Sequence, residues 1–354
     1  MDDSINIRQL VRQVYAPPRT HSGWRFEMLA GDSPVRYLRL GRHALFHGLK
    51  GLDVGPGDEV LMPAFICKEL VAPVHALGAK PVYYAVNAQL GISQIGALPV
   101  AKAIVAVNFF GFPQDLAPFR QYCERTGAFL VEDNAHGLFG RDSEGRYLGT
   151  RGDVGIFSPR KSLDVLGGAA LLVNNPLLVP RFDMATEVAA YPAPLSRKIK
   201  ALVRASVQFA GIAPARLFIE ISRLARRLRT GRAIPVSPPE SEFELPTGDR
   251  APDDLAVQFA QTDVAEEISR RRKLYQWLHE SMTPLGVQAV FGELPDGVVP
   301  YGYPMRLDED QVPIVKRWLA NHGLECFTWP DLPAEVAPQA PAWYRQIWNV
   351  QFLW

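Results

Sequence analysis

Between Arg36 and Asn175 the chain alternates between short runs of apolar, often β-branched residues and stretches with helical spacing, separated by Gly, Pro or Asp. Strands that alternate with helices in this way pair through crossovers, so the segment is read as an α/β domain with a largely parallel sheet. Glu59–Pro63 is a strand entered from the turn Gly55-Pro56-Gly57-Asp58, and Pro81–Val86, Ala103–Val107, Ala128–Val131, Val154–Phe157 and Ala169–Val173 are further strands. Lys68–Leu77 and Leu116–Thr126 read as helices between them. The 30 prolines and 28 glycines supply the hard stops that keep these units short.

At 354 residues, 47% of them hydrophobic, the chain is long enough for a large domain and a smaller one that enclose a site between them. Its 38 Lys and Arg against 37 Asp and Glu argue against a general nucleic-acid binder. Cys67, Cys123 and Cys326 are odd in number and share no C-x-x-C spacing, which speaks against a disulfide framework or zinc site and for a reducing cytoplasm. The acidic start, Met1-Asp2-Asp3-Ser4, does not resemble a secretory leader, and no apolar stretch is long enough to span a bilayer.

The balanced total conceals one unbalanced region. Between Arg197 and Arg232 ten basic residues are opposed by Glu220 alone, with apolar residues at helical spacing among them. A solvated helical hairpin, a phosphorylated partner or substrate, and an anionic membrane surface are the three readings; for the last, Leu217, Phe218, Ile221, Leu224 and Leu228 form the apolar side. Pro235–Pro252 is Pro-, Ser- and Glu-rich and reads as a linker or an extended loop. Asp253–Met282 has helical periodicity, Val298–Leu307 is strand-like, and Glu309–His322 is a helix before an aromatic-rich end. The expected division is an N-terminal arm (1–35), a large domain (36–195), a basic insert with its linker (196–252) and a small α+β domain (253–354).

Two segments carry the chemistry. Phe129-Leu-Val-Glu-Asp-Asn-Ala-His136 brings two carboxylates to the end of an apolar strand, where open α/β sheets place ligands; adjacent strand residues face opposite ways, so only one of Glu132 and Asp133 enters a given pocket. Asp153-Val-Gly-Ile-Phe-Ser-Pro-Arg-Lys161 ends a strand in Ser158 and then Lys161, ahead of the turn Gly167-Gly168. A lysine opposite a buried acid is what pyridoxal phosphate chemistry requires: the amine forms the Schiff base and the carboxylate keeps the pyridine nitrogen protonated.

With these residues in place, the chain resembles the DegT/DnrJ/EryC1/StrS sugar aminotransferases, a branch of the fold type I pyridoxal phosphate enzymes. Gly41-Arg-His-Ala-Leu45 is similar to the family's Gly-Thr-x-Ala-Leu, Gly55–Phe65 to its Gly-Pro-Gly-Asp-Glu-Val-x-x-Pro-x-Phe, Leu77–Val82 to its Gly-Ala-x-Pro-Val, and Glu132–His136 to its Glu-Asp-x-Ala-Gln/His. The resemblance implies a three-layer large domain with a smaller α+β domain behind it. It implies a cofactor phosphate at the helix N-terminus of Gly41 and Arg42, Asp133 at the pyridine nitrogen, His136 near the ring oxygen, Ser158 on the phosphate and Lys161 as the catalytic lysine. It further implies a homodimer that takes an amino group from a donor such as glutamate to a keto-sugar, expected to be nucleotide-linked, in polysaccharide or glycoconjugate synthesis.

The chain also departs from the pattern. Arg42 stands for the phosphate-site threonine, Cys67 falls where an aromatic residue stacks on the ring, with Phe65 as a substitute, and the step from Ser158 to Lys161 is short. The Asn-x-Arg loop that crosses from the partner is not recognisable, and the end at Trp354 reads as a trimmed small domain or a partly dismantled site. These departures support a second reading, a relative that keeps the fold as a binding or scaffold protein. A dehydratase is the third, and Lys161, where those enzymes usually carry histidine, weighs against it.

Overall fold

The computed structural model describes residues 6–17, 19–192, 195–230 and 237–353. The first five residues and Gly231–Val236, Arg232 among them, lie outside the described residues.

A seven-stranded sheet forms the centre. Its strands are β1 (Val35–Leu38), β2 (Glu59–Pro63), β3 (Lys80–Tyr84), β4 (Ala103–Val107), β5 (Phe129–Asn134), β6 (Val154–Phe157) and β7 (Ala169–Val173), in the order β1-β7-β6-β5-β4-β2-β3. Neighbours from β3 through β2, β4 and β5 to β6 are parallel, while β7 runs antiparallel to both β6 and β1. β4, β6 and β7 are buried along their whole length, which explains their near-continuous apolar sequences: both faces are covered, so alternation is lost.

The helices before and between these strands are α1 (Ile7–Tyr15), α2 (Glu27–Ala30), α3 (Gly41–Gly51), α4 (Ala72–Ala76) and α5 (Ala117–Thr126). On β6 and β7, Ile156 and Leu171 face α3, where a Cβ on Gly48 would lie 3.4 Å from each. The alternate residues Phe157, Ala170 and Leu172 pack instead with Trp24, Phe26, Leu255 and Phe259. Helical and arm residues thus sandwich the sheet, giving the expected three layers.

Beyond the sheet come β8 (Val188–Ala189), α6 (Leu195–Ala210), α7 (Ala213–Thr230) and β9 (Ala251–Pro252), with β8 and β9 paired in parallel. The predicted linker is pinned along its described part. His43 Nε2 lies 3.0 Å from the Pro246 carbonyl, and the buried Glu242 carboxylate accepts the Ala334 N–H at 2.9 Å. The long periodic stretch from Asp253 is broken at Gln261-Thr262 into α8 (Leu255–Ala260) and α9 (Val264–Met282), the latter capped by the Asp263 carboxylate accepting from the Glu266 N–H. α10 (Gln311–Asn321) and a second sheet complete the chain; β10 (Gln288–Ala289), β11 (Gly302–Arg306), β12 (Cys326–Thr328) and β13 (Ile347–Gln351) lie in the order β10-β11-β13-β12, all antiparallel.

The small sheet therefore contains the aromatic-rich end as an interior strand, β13. α1 packs against α9 and α6, so the N-terminal arm joins the core of the second sheet. Arg270 and Arg271 on α9 are about 1% exposed: both bind Glu267, and Arg271 also donates to the carbonyl of Ser162 at 2.7 Å.

Candidate active site

The carboxyl ends of β2, β4, β5 and β6 open into a cavity of about 970 Å³. Gly41, Arg42, Cys67, Asp133, His136, Ser158 and Lys161 all line it, so the predicted site residues converge from separate parts of the chain. The sheet produces this convergence, since parallel strands deliver their last residues to one edge.

Asp133 and Glu132 divide as the pleat requires. Glu132 points away from the cavity, is fully buried, and accepts from the Arg151 backbone N–H and Nε, each at 2.8 Å, and from Asn108 Nδ2 at 2.9 Å. Asp133 lines the cavity and accepts the Ala135 N–H at 2.9 Å. Burial pushes the Asp133 carboxyl up, against the pull of the Lys161 charge. A cationic ring N–H beside it would supply the counter-charge that burial leaves missing.

His136 is held from three directions. Its ring stacks on Tyr301 at 4.4 Å and 5°, with Trp329 against its edge. Its Nδ1 accepts the Phe110 N–H at 3.3 Å, and the Phe110 carbonyl accepts from the Tyr301 N–H at 2.8 Å. Phe110 has φ of 55°, a left-handed conformation that costs a non-glycine residue of order 1–3 kcal/mol and turns its N–H toward the imidazole. Burial, reinforced by the Lys161 charge, holds His136 well below the usual histidine range, so the ring is neutral. With Nδ1 accepting, the ring proton sits on Nε2, which lies 3.1 Å from Lys161 Nζ.

Ser158 and α3 form the other end. Ser158 is buried, and its Oγ has no hydrogen-bond partner, which in a protein interior marks a group awaiting one. A Cβ on Gly41 would sit 3.4 Å from Ser158 Cβ and 3.7 Å from its Oγ, so glycine there leaves open the space between the hydroxyl and the helix start. No side chain caps α3, and its first N–H groups, their dipole and Arg42 are set up for an anion. An orphaned hydroxyl at an uncapped helix N-terminus, with a buried acid and a lysine in the same cavity, fits a phosphorylated pyridine aldehyde.

Two expectations are corrected. Phe65, the proposed substitute for the stacking residue, is fully buried in an aromatic cluster with Phe109, Trp329 and Tyr344 and does not line the cavity; Cys67 does, with burial pushing its thiol up to about 11. Phe218, assigned to an outward apolar side, lines the cavity together with Ile219, Ser222 and Ala225 of α7. Sequence periodicity shows that α7 has apolar positions, but not that they fall on two sides. Phe327 and Trp329, from the second sheet and the loop after it, also line the cavity, and no local motif marked them.

The parallel sheet with its antiparallel β7, and the cavity holding lysine, acid and an anion cradle at the strand ends, define the class: the α/β architecture of fold type I. Residues 37–191 match the model of the DegT/DnrJ/EryC1/StrS aminotransferase family. It is 32% identical over 141 residues to a UDP-N-acetyl-3-dehydro-alpha-D-glucosamine 3-aminotransferase of Acidithiobacillus ferrooxidans, and 32% over 152 residues to a dTDP-3-amino-3,4,6-trideoxy-alpha-D-glucose transaminase of Streptomyces venezuelae. These matches take in 38% and 41% of this chain, and the chain covers 38% and 40% of the two relatives' lengths. The fold extends further. The solved aminotransferase TlmJ of Streptoalloteichus hindustanus superposes with a TM-score of 0.61 at 20% identity, over 98% of this chain and 90% of that one.

Proposed function

We propose that the protein is a pyridoxal-phosphate-dependent aminotransferase that moves an amino group from a donor such as glutamate to a keto-sugar, nucleotide-linked as the names of the two relatives indicate for theirs, for polysaccharide or glycoconjugate synthesis. One observation carries the reading: Lys161 Nζ, the buried Asp133 carboxylate and the partnerless Ser158 Oγ share one cavity. The cofactor, when bound, supplies an electron-accepting ring that stabilises negative charge on the carbon beside the transferred nitrogen. Asp133 would face its ring nitrogen, the α3 N-terminus with Ser158 and Arg42 its phosphate, and the His136 Nε2–H its ring oxygen. Lys161 would hold the cofactor covalently and would take and return the proton on the carbon bearing the amino group.

Arg42 and Cys67 motivate a scaffold reading, yet Arg42 adds a cation beside the anion cradle, where it strengthens phosphate binding, and Cys67 displaces none of the groups above. A homodimer in the cytoplasm is part of the proposal. The test is spectroscopic: the purified full chain incubated with pyridoxal phosphate gains a visible absorbance band that shifts when amino donor is added, and a keto-sugar nucleotide reverses the shift. A preparation that stays colourless overturns the proposal.

A further inference from the structure

The α6–α7 hairpin has two apolar sides. One is occupied: Phe218, Ile219, Ser222 and Ala225 of α7 wall the cavity, and Val207 of α6 is fully buried. The other is exposed. Leu217, Ile221, Leu224 and Leu228, spaced four, three and four residues apart, are 65%, 57%, 59% and 80% exposed. On α6, Leu195, Ile199, Leu202 and Phe209 start with the same spacing and are 72%, 41%, 70% and 90% exposed. Such spacing keeps side chains within a narrow arc, so α7 carries one apolar stripe, and α6 a second that is interrupted at Ser206. Large apolar side chains exposed in such rows mark an interaction site.

Charge identifies what covers it. Lys198, Arg216 and Arg227 are exposed on the same two helices, and Glu220 is the one acid in the sequence between Arg197 and Arg232. A second copy seated stripe to stripe would bring these cations against their own equivalents with almost no acid to offset them. A surface that is apolar beneath and anionic above satisfies both features. No helix among the described residues is long and apolar enough to cross a membrane, so the hairpin would lie in the interface.

We propose that the α6–α7 hairpin is the docking surface for an anionic phospholipid bilayer, its two stripes at the acyl boundary and its basic side chains among the headgroup phosphates. Arg204 bound to Asp164, and Arg223 donating through Nε to Glu325 at 2.6 Å, tie the hairpin to the body of the protein, so it docks as part of that body. Because α7 is also a wall of the cavity, docking holds that wall against the membrane and sets the candidate site within one helix diameter of the headgroups. The proposal does not depend on the chemistry assigned to Lys161.

The experiment is co-sedimentation of the full chain, loaded with pyridoxal phosphate, with vesicles of phosphatidylcholine alone or mixed with phosphatidylglycerol. Mixed vesicles should bind the protein at least about tenfold more tightly, and the binding should weaken as salt is raised. Leu217→Ser combined with Leu224→Ser, and separately Lys198→Glu combined with Arg227→Glu, should each reduce it about tenfold or more while circular dichroism is unchanged. The charge pair lies on exposed positions, so it remains informative if the leucine pair misfolds. Equal binding to both vesicle types, or variants that bind like wild type, overturns the proposal. So does a leucine variant that turns a stable dimer into a monomer by light scattering yet still binds vesicles, since the stripe is then a subunit interface. Visible absorbance recorded on the same samples reports the cofactor site independently.

Discussion

Neutralising Glu132 and Asp133 in turn should separate folding from cofactor binding, although the two are neighbours on one strand. Glu132 is 0% exposed and pairs with an Arg151 side chain that is 4% exposed. Glu132→Gln removes the charge that compensates this guanidinium and turns an amide N–H toward its donors. Losing one partner of a buried ion pair costs about 3–5 kcal/mol, a large share of a total of about 5–15 kcal/mol. Asp133 differs in kind: its carboxyl is raised by burial and takes one backbone hydrogen bond. The folded group resists ionisation, so its cost is absent below the ordinary carboxylate range and grows as pH rises from there toward the raised value. Asp133→Asn keeps an acceptor for the Ala135 N–H and removes that cost, so the apoprotein should be at least as stable as wild type. The same change deletes the charged partner of the pyridine nitrogen, worth about 1.5–3 kcal/mol, or roughly 10- to 150-fold in cofactor affinity. Urea unfolding followed by tryptophan fluorescence, beside a cofactor titration read in the visible, measures both quantities. If Asp133→Asn unfolds at lower urea than Glu132→Gln, or binds cofactor as wild type does, the division of roles is refuted.

Ser158→Ala should leave the apoprotein unchanged or slightly firmer, since it removes a buried hydroxyl with no partner, and should weaken pyridoxal phosphate by about 10-fold or more. The loss should vanish with pyridoxal, which lacks the phosphate; equal losses for both ligands place the hydroxyl elsewhere. His136 is held below the usual histidine range, so as pH falls past 6.5 the unfolded chain takes up a proton that the folded ring refuses. Stability should therefore fall with decreasing pH by up to about 1.4 kcal/mol per unit from this group, and His136→Gln should flatten the urea midpoints between about pH 6.5 and 5. Unchanged pH dependence in the variant would mean that the imidazole titrates freely. At pH 8 Cys67 should alkylate far more slowly than an ordinary thiol, with the rate climbing toward pH 11, because burial holds it protonated.

Local pattern made the large sheet legible where burial on both faces left continuous apolar runs. Glu59–Pro63, Ala103–Val107, Val154–Phe157 and Ala169–Val173 occupy the positions expected of them. The edge strand Val35–Leu38 is only half-buried, and the interior strand Ile347–Gln351 includes the buried Asn349, so neither stood out. Asp133, His136, Ser158 and Lys161 were readable because each sits at or just beyond a strand end, where order along the chain becomes proximity in space. Long-range contacts were not readable. Nothing near Arg271 in sequence announces the carbonyls of Ser162, Pro300 and Tyr301 that receive it, and nothing near Phe218 announces a cavity beside α7.

The central claim is that Lys161, and no other lysine, joins the cofactor. Borohydride reduction of the protein after incubation with pyridoxal phosphate fixes that carbon–nitrogen link, and peptide mass spectrometry then locates it. The phosphopyridoxyl group should fall on Lys161 and be absent from Lys161→Ala. Label on Lys68, whose amine already donates to the Ser237 carbonyl at 2.8 Å, or label undiminished in Lys161→Ala, would contradict the account.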